Sequence, residues 1–512
     1  MTRRLYVLVS PRRRSRPARG LFFTGATKCW AVAGLSVKRR AIPHKPGCRF
    51  RPVCPPDGEH QTSFSVGIPR NKKGLKVANR FKIITLGCKV NQCESESLER
   101  QLAERGERPT GQDEAADLCI INTCTVTAKA ASQSRQAVRR AIRDNPDAQI
   151  VVTGCHAQTD PEAFEKINGV NQVVGYRAKG HLPEMLRPSS TGIVDRDVLD
   201  GRFSPLVIGV GNDRTRPFLK IQDGCDAFCT YCIVPYARGR SRSMPLKMVL
   251  ANLMELKASG YHETVLTGIH LGAYGQDQVP PVGLNALLGK IEASRAPDRI
   301  RLSSIEPCEL TDGLIDQVAG NEMFCRHFHI PLQSGDDGIL SRMRRPYTAG
   351  FFKERVLKII ERMPDAAIGI DTLVGFPGET AQAFENTLAM IDDLPVAYLH
   401  VFPFSARPGT PAAHYPDQVS PEVVKVRCQR MRTLGLQKRS GFYRRHLDRT
   451  LTVLIENRRD RITGWLKGVT SNYVAVQVDG DDALMNRLVR VRINRVDEEN
   501  RVTATVVDTG SG

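Results

Sequence analysis

The chain has 512 residues, 14 of them cysteine, and a formal net charge of +20. Residues 1–78 hold 18 of the 74 Lys and Arg but only two of the 54 acidic residues. Most of the net positive charge of the chain therefore lies there. Cysteines grouped in motifs, in a chain of about three domains without a secretory signal, argue against a disulfide-stabilised secreted protein. No run of 18 or more apolar residues is present, which excludes a transmembrane helix.

Residues 1–78 form a first segment that is rich in arginine and nearly free of acidic residues. This composition superficially resembles a transit peptide, and a misassigned start site would explain it equally. The segment shows no sustained helical or strand period. We therefore expect it to be a disordered extension that is dispensable for chemistry.

The sequence predicts a first α/β domain over residues 79–190. Three buried strands are predicted at 81–86, 117–122 and 149–153, and each is followed by a helical segment. Strands that alternate with helices favour a layered fold with a mainly parallel sheet, and we interpret the domain as Rossmann-like.

Three cysteines of this domain, Cys88, Cys124 and Cys155, lie just beyond the carboxyl ends of the predicted strands. Open α/β sheets gather their site residues at this edge, so the three thiols are expected to converge on one metal site. Their wide spacing in the sequence leaves ordinary core cysteines as an alternative. Cys93 falls on the helix and Cys119 inside a strand, and both are interpreted as packed cysteines.

After a predicted linker at 191–213, a central domain is predicted over residues 214–446. It opens with a glycine-led loop that carries Cys225, Cys229 and Cys232 at Cys-x3-Cys-x2-Cys spacing. Three thiolates so close together converge on one soft metal centre and leave one iron of a four-iron cluster without a protein ligand. A three-cysteine zinc site and buried core cysteines are the alternatives. Zinc sites usually have a fourth protein ligand, and no obvious one follows.

This spacing, with the aromatic Tyr231 before the last cysteine, resembles the signature of the radical S-adenosylmethionine (SAM) enzymes. The resemblance implies that Cys225, Cys229 and Cys232 are catalytic and hold a 4Fe-4S cluster whose open iron chelates the amino and carboxylate groups of SAM. It also implies that an electron from the cluster splits SAM into methionine and a 5′-deoxyadenosyl radical. Tyr231 is assigned to the cofactor site.

Six strand-like segments separated by helical ones follow in the central domain. They lie at 218–222, 264–268, 300–305, 327–332, 367–374 and 398–404. This alternation predicts a partial (β/α)6 barrel, whose working residues should lie at the carboxyl ends of the strands.

Polar residues and glycines do follow these strands, and four of them are candidates to bind SAM through hydrogen bonds or close backbone approach. They are Gly268, Glu306, Gln333 and Asp371. Ordinary strand-end turn chemistry is the alternative for each. His327 and His329 flank the fourth strand and are interpreted as structural.

Arginines alternate along the segment that follows the cysteine loop, at Arg238, Arg240 and Arg242. Forked guanidinium groups suit phosphate contacts, so the three are predicted to bind RNA. Residues 342–347 form a second basic strip, interpreted as facing the substrate. A solvated basic loop is the alternative.

A small C-terminal domain is predicted over residues 447–510. Apolar and polar residues alternate at 451–455, 462–466, 473–478, 488–493 and 501–507. Five short strands at this spacing favour a closed, OB-like β-barrel, which resembles the TRAM domain that ends many RNA-modifying enzymes. Tyr473 and Trp465 are candidate stacking platforms for single-stranded RNA. For Trp465 a core position is slightly favoured.

Over residues 80–507 the chain resembles the radical SAM methylthiotransferases. The similarity rests on Leu-Gly-Cys88-Lys-Val-Asn-Gln, Asn-Thr-Cys124-Thr-Val-Thr and Thr-Gly-Cys155-His-Ala-Gln. It implies that these three cysteines hold an auxiliary 4Fe-4S cluster and that each turnover uses two SAM molecules. One SAM methylates a sulfide on the auxiliary cluster. The other yields the radical that abstracts hydrogen from adenine C2, to which the methylthio group is delivered.

The motifs are most similar to the branch that acts on N6-threonylcarbamoyladenosine at position 37 of tRNA. The target base must leave its stack, so the tRNA anticodon loop is the expected partner, with a flavodoxin or ferredoxin as electron donor. We expect a cytoplasmic monomer that does not bind a membrane. Branches acting on N6-isopentenyladenosine or on a ribosomal protein are alternatives. An alternative of another class is a non-catalytic iron–sulfur redox sensor that binds RNA and does not cleave SAM.

Overall fold

The computed structural model of the protein describes residues 80–111, 114–186, 203 and 214–508. The predicted extension at 1–78 lies outside the described residues, as does nearly all of the predicted linker. No helix of the described residues is both long and apolar enough to cross a membrane.

The first sheet has five parallel strands in the order β2-β1-β3-β4-β5, which confirms the predicted parallel α/β layer. Its central strand, β3, is buried along its whole length, as expected of a strand covered on both faces. The strands are β1 (Arg80–Thr85), β2 (Arg108–Pro109), β3 (Leu118–Thr123), β4 (Gln149–Gly154) and β5 (Gln172–Val174); the helices are α1 (Lys89–Glu104), α2 (Ala128–Asp144), α3 (Cys155–Thr159), α4 (Glu162–Glu165) and α5 (Leu182–Met185).

The central domain begins with β6 (Phe218–Lys220) and the small antiparallel pair of β7 (Gln222–Asp223) and β8 (Arg242–Ser243). It continues with the parallel strands β9 (Glu263–Thr267), β10 (Arg299–Leu302), β11 (His327–Gln333), β12 (Ala367–Val374) and β13 (Tyr398–Pro403). Its helices are α6 (Val234–Arg238), α7 (Leu246–Ala258), α8 (Leu284–Ser294), α9 (Asp312–Gly320), α10 (Asp337–Arg342), α11 (Ala349–Arg362), α12 (Ala381–Asp393) and α13 (Pro421–Arg444).

The six parallel strands of this domain form two sheets, β6-β9-β10 and β11-β12-β13. A parallel bridge between Ser304 and His329 joins the two sheets into an open barrel, with its strands in sequence order. The prediction of a partial (β/α)6 barrel is therefore confirmed, with all six strands near their predicted positions. Buried apolar side chains from the strands and from the surrounding helices form the largest core of the described chain.

The C-terminal strands close into a barrel in the order β14-β15-β16-β18-β17, as predicted. They are β14 (Thr450–Arg459), β15 (Leu466–Thr470), β16 (Ala475–Val478), β17 (Leu488–Val496) and β18 (Val502–Asp508). The second strand had been predicted at 462–466, which is wrong. The Asp460 carboxylate accepts hydrogen bonds from the backbone N–H groups of Ile462 and Thr463, each at 3.0 Å, and folds this stretch into a turn. Trp465 is only half-buried and lies outside the barrel core, so the favoured core position is wrong as well.

A buried arginine of the central barrel attaches the C-terminal barrel to it. Arg301 on β10 donates to Glu263 Oε1 on β9 at 2.7 Å. Its other nitrogens donate to the backbone carbonyls of Thr470 and Ser471, at 3.0 and 2.9 Å. The turn after β15 is thereby held against the strands of the central barrel, and this brings Tyr473 to the barrel interior.

Candidate functional site

Cys88, Cys124 and Cys155, here called the auxiliary triad, follow β1, β3 and β4 at one edge of the first sheet. Glycines precede two of the thiols: Gly87 has φ +97° and Gly154 has φ +97°. A β-carbon at Gly87 would lie 2.8 Å from Cys124 Sγ, and one at Gly154 would lie 2.5 Å from the Thr123 carbonyl oxygen. Only glycine fits at either place, so the backbone is built to bring the strand ends together.

Cys225, Cys229 and Cys232, here called the loop triad, lie on a loop that is closed by backbone and side-chain hydrogen bonds. The Cys225 N–H donates to the Gly239 carbonyl at 3.0 Å. Gly224, with φ +71°, comes so close to residue 240 that an added β-carbon would lie 1.9 Å from the Arg240 carbonyl oxygen. The Gln222 amide donates to the Gly224 carbonyl at 2.9 Å.

Two basic side chains, Arg345 and His270, contact the sulfurs of the loop triad. Arg345 Nη1 donates to Cys229 Sγ at 3.3 Å. His270 Nδ1 lies 3.5 Å from Cys225 Sγ, and its Nε2 lies 2.6 Å from Glu309. Donors aimed at sulfur stabilise thiolates, the form in which cysteine binds metals.

The thiols of both triads are free. Burial, followed by the charge of neighbouring cysteines, raises the pKa of Cys124 to about 12 and that of Cys232 to about 12. Such thiols give up their protons when a metal takes their place. Two groups of three cysteines in this setting fit two 4Fe-4S clusters, each with one iron open to another ligand.

A cavity of about 550 Å³ lies between the first domain, the lumen of the central barrel and the C-terminal barrel. All three cysteines of the auxiliary triad line it. The cysteines of the loop triad are not among its lining residues, but Val234, two residues after Cys232, and Gly268, two residues before His270, do line it. The auxiliary triad thus faces a partly open cavity whose wall continues toward the loop triad.

Comparisons with known proteins agree with this geometry. Residues 80–175 match the model of the uncharacterized protein family UPF0004, and residues 219–391 match that of the radical SAM superfamily. The threonylcarbamoyladenosine tRNA methylthiotransferase MtaB of Bacillus subtilis is 38% identical over 419 residues, which are 80% of this chain and 92% of the relative. The chain belongs to the radical SAM methylthiotransferase family.

This family membership confirms the predicted cofactors, SAM and 4Fe-4S clusters. A tRNA-2-methylthio-N(6)-dimethylallyladenosine synthase of Sphingopyxis alaskensis is 34% identical, over 81% of this chain and 94% of the relative. Among solved structures, the radical SAM methyltransferase TsrM of Kitasatospora setae has a TM-score of 0.49 at 17% identity, over 66% of this chain and 75% of that one.

The predicted SAM residues of this methylthiotransferase do not lie together in the cavity wall. Only Gly268 lines the cavity, where a β-carbon would come within 2.8 Å of Gln222 Oε1. Glu306 forms an ion pair with Arg345, and Tyr231 packs edge-on against Phe376. Gln333 ends β11 with φ +64°, and Asp371 lies between His329 and His400. Their assignment to SAM remains a prediction.

Asp371 belongs to a group that the sequence did not reveal. Its Oδ1 accepts from His329 Nε2 at 2.9 Å and lies 3.2 Å from His400 Nδ1, while His329 Nδ1 lies 2.6 Å from Ser304 Oγ. Although burial opposes it, these imidazoles hold the pKa of Asp371 well below its usual range. The ligand atoms of the three residues lie within 4.8 Å of one another, so the group could also hold a cation. The interpretation of His329 as purely structural is too narrow, because both histidines line the cavity.

Two of the three arginines predicted to bind RNA are buried, and for them the prediction is wrong. Arg238 is 1% exposed and pairs with Glu94 and Asp223. Arg242 donates to two backbone carbonyls, one of them that of Arg238, at 2.8 Å. Arg240 has a side chain that is 60% exposed and remains a candidate for phosphate contact.

Tyr473 lines the cavity and contacts protein groups on both sides. Its ring centre is 4.3 Å from that of His327, and the Arg301 guanidinium lies 5.1 Å from it. His327 is buried and its Nε2 lies 2.9 Å from the Tyr398 hydroxyl, as expected of a structural residue. The role of Tyr473 in RNA binding therefore remains a prediction, and it would act inside the cavity.

Several residues of the site were missed from the sequence: Glu94, His270, Arg345 and His400. The alternation of side chains along a strand was the available signal for His400, since it is two residues beyond the inward Tyr398. Arg345 lay within the basic strip at 342–347 but is buried against the loop triad. No local pattern distinguishes Glu94 from other acidic residues of an amphipathic helix.

Proposed function

We propose that this chain transfers a methylthio group to C2 of N6-threonylcarbamoyladenosine at position 37 of tRNA, giving 2-methylthio-N6-threonylcarbamoyladenosine. The observation that carries the proposal is that the auxiliary triad lines a cavity whose wall also includes residues within two positions of Cys232 and of His270, which contacts Cys225. A reaction that needs a radical and a sulfur donor at the same carbon requires this proximity. The activity for which the Bacillus subtilis relative is named supports the choice of substrate.

In this proposal the loop triad holds the cluster that binds and cleaves SAM, and the auxiliary triad holds the cluster that delivers sulfur. With SAM, these groups supply the 5′-deoxyadenosyl radical and the methylthio group when bound. The chain's own residues orient them: Arg345 donates to Cys229 Sγ, and Gly268 leaves room for the Gln222 side chain, which donates to the Gly224 carbonyl beside Cys225.

The charge of the cavity favours an anionic base substituent. Among the described residues that line it, six are Lys or Arg and only Glu456 is acidic. Three of the cations are neutralised from outside the cavity, since Arg214, Arg238 and Arg301 pair with Glu96, Glu94 and Glu263. Lys89 and Arg458 add further positive charge. A threonylcarbamoyl group carries a carboxylate that such a surface attracts, whereas a dimethylallyl group carries none.

The remaining expectations are part of the same proposal. The anticodon loop of tRNA would enter beside the exposed Arg240 and the basic helix α13. A flavodoxin or ferredoxin would reduce the clusters, and the enzyme would act in the cytoplasm as a monomer. We retain the division into domains at 79–190, 214–446 and 447–510 as an interpretation.

A reconstituted assay tests the substrate. Chain loaded with iron and sulfide is supplied with SAM, dithionite, and tRNA that carries either threonylcarbamoyladenosine or dimethylallyladenosine at position 37. The proposal expects methylthiolation of the first tRNA and little of the second. Arg458→Gln should raise KM for the first tRNA several-fold, while Arg461→Gln, outside the cavity, should not. Preference for the dimethylallyl tRNA would favour the activity for which the Sphingopyxis alaskensis relative is named.

A further inference from the structure

The two triads are joined by a buried polar cluster that the proposed reaction does not use. It consists of Asn91 and Glu94 on α1, Lys179 in the short helix at 177–181, and Lys220, Asp223 and Arg238 from the central domain. All six are at most 5% exposed. The cluster thus lies where the first domain meets the loop triad.

Arg238 is the centre of this cluster. Its Nη1 donates to Glu94 Oε1 at 2.8 Å and to Asp223 Oδ1 at 2.9 Å, and its Nη2 donates to Asn91 Oδ1 at 2.6 Å. The guanidinium therefore binds two elements of different domains at once. Its planar fork makes this geometry specific, because a lysine cannot bridge the same three acceptors.

On one side, the contacts of Arg238 reach the loops of the auxiliary triad. Asn91 Nδ2 donates to the carbonyls of Leu86 and Thr123, at 2.7 and 3.0 Å, and these residues lie within two positions of Cys88 and Cys124. The third loop is reached directly, because α6, which ends at Arg238, packs against α3, which begins at Cys155.

On the other side, the contacts reach the loop triad. Asp223 Oδ1 accepts from the Gly224 N–H at 2.8 Å, and the Gly239 carbonyl, directly after Arg238, accepts from the Cys225 N–H at 3.0 Å. One side chain is thus linked, through Asn91 and Asp223, to the backbone around both triads.

The charges of the cluster are also unbalanced. Three basic side chains, Lys179, Lys220 and Arg238, face the two carboxylates of Glu94 and Asp223. Arg238 itself lines the cavity beside the three thiols of the auxiliary triad. A site of three thiolates around a four-iron cluster carries net negative charge, and an adjacent buried cation offsets it.

We propose that Arg238 is a positioning residue that fixes the auxiliary triad relative to the loop triad and supplies a buried positive charge to the auxiliary cluster. The first role sets the path between the radical and the sulfur donor. The second raises the reduction potential of the auxiliary cluster, because a nearby cation favours the more negative, reduced state. The inference rests on the proposed function for the first role only.

The variants Arg238→Gln, Arg238→Lys and Asn91→Ala separate the two roles. Arg238→Gln should keep SAM cleavage within about twofold but lower the yield of methylthiolated nucleoside per 5′-deoxyadenosine about tenfold or more. In a background with the loop triad changed to alanine, it should also shift the potential of the auxiliary cluster to a more negative value in an EPR titration. Arg238→Lys and Asn91→Ala should both keep the reduction potential of the auxiliary cluster. Both should lower the yield of methylthiolated nucleoside.

Arg299→Gln is the matched control, since Arg299 is 6% exposed and pairs with Glu263 at the amino end of β10, away from both triads. It should leave yield and potential unchanged. The inference would be overturned if Arg238→Gln left both the nucleoside yield and the reduction potential unchanged. It would also be overturned if Arg238→Lys and Asn91→Ala formed as much methylthiolated nucleoside per 5′-deoxyadenosine as the unaltered chain. If the unaltered chain forms no methylthiolated nucleoside, the proposed function fails, while the potential still tests the charge of Arg238.

Discussion

Gly87→Ala should remove the auxiliary cluster while leaving the loop triad intact. A non-glycine residue at φ +97° costs about 1–3 kcal/mol of backbone strain. The new β-carbon would also lie 2.8 Å from both Cβ and Sγ of Cys124. Cys124 has little room to yield, because it is buried and its N–H is bonded to Ser134 Oγ at 3.1 Å. Metal–ligand distances tolerate only about 0.2 Å of error, so the displaced thiol should no longer complete the site.

The measurement is the iron content of the reconstituted chain together with its SAM cleavage. Gly87→Ala should bind about half as much iron as the unaltered chain, should still form 5′-deoxyadenosine, and should form no methylthiolated nucleoside. Gly106→Ala is the matched control, since Gly106 has φ +87° but no atom within 4 Å of its would-be β-carbon. Gly106→Ala should lose as much stability to backbone strain as Gly87→Ala does, but it should bind as much iron as the unaltered chain.

Two results would refute the reasoning. Full iron in Gly87→Ala would mean that Cys124 is not a ligand whose position matters. An equal loss of iron in both glycine variants would mean that backbone strain, rather than the contact with the thiol, is responsible.

Three further predictions concern other parts of the chain. Two buried arginines lower the pKa of Glu263 from 4.5 to about 2 despite its burial. Glu263→Gln should therefore cost roughly 3 kcal/mol in urea unfolding, a contribution that is complete above pH about 4.5 and lost as pH falls toward 2. Arg345→Gln removes the hydrogen bond to Cys229 and should slow formation of 5′-deoxyadenosine about 10- to 100-fold with iron retained. Arg240→Ala should weaken tRNA binding across sequences and reduce its salt slope by about one, measured by filter binding, whereas Arg242→Ala should lower the thermal midpoint instead.

Each of these has an outcome that contradicts it. Wild-type stability in Glu263→Gln would mean that the free energy of unfolding does not depend on the ion pair between Glu263 and Arg301. Loss of iron in Arg345→Gln would indicate a folding defect of the loop rather than a change at the sulfur. Unchanged salt dependence in Arg240→Ala would remove this residue from the tRNA surface.

Much of the fold could be predicted because its signals are local. The strand Ala367–Val374 was predicted with the bounds that the structure has, since an apolar run ends there at a glycine turn. The cysteines of both triads follow strand ends, and parallel topology then brings such ends to one edge. The prediction of the second strand of the C-terminal barrel was wrong because Ile462 is an apolar residue that lies 90% exposed in a turn.

The prediction that Arg238 and Arg242 bind RNA was wrong for a different reason. Alternating arginines on a loop look like a surface strip, and nothing near Arg238 in the sequence reveals that Glu94, 144 positions earlier, pairs with it. A buried partner from another domain is decided by packing. His400 and Asp371 likewise meet only because β12 and β13 are neighbours in the barrel.

The central claim is tested most directly by mass spectrometry of tRNA nucleosides from a strain that lacks this gene, complemented with the unaltered chain or with Cys225→Ala. The account predicts that 2-methylthio-N6-threonylcarbamoyladenosine disappears in the deletion strain and that only the unaltered chain restores it. Its persistence in the deletion strain, or its restoration by Cys225→Ala, would contradict the account.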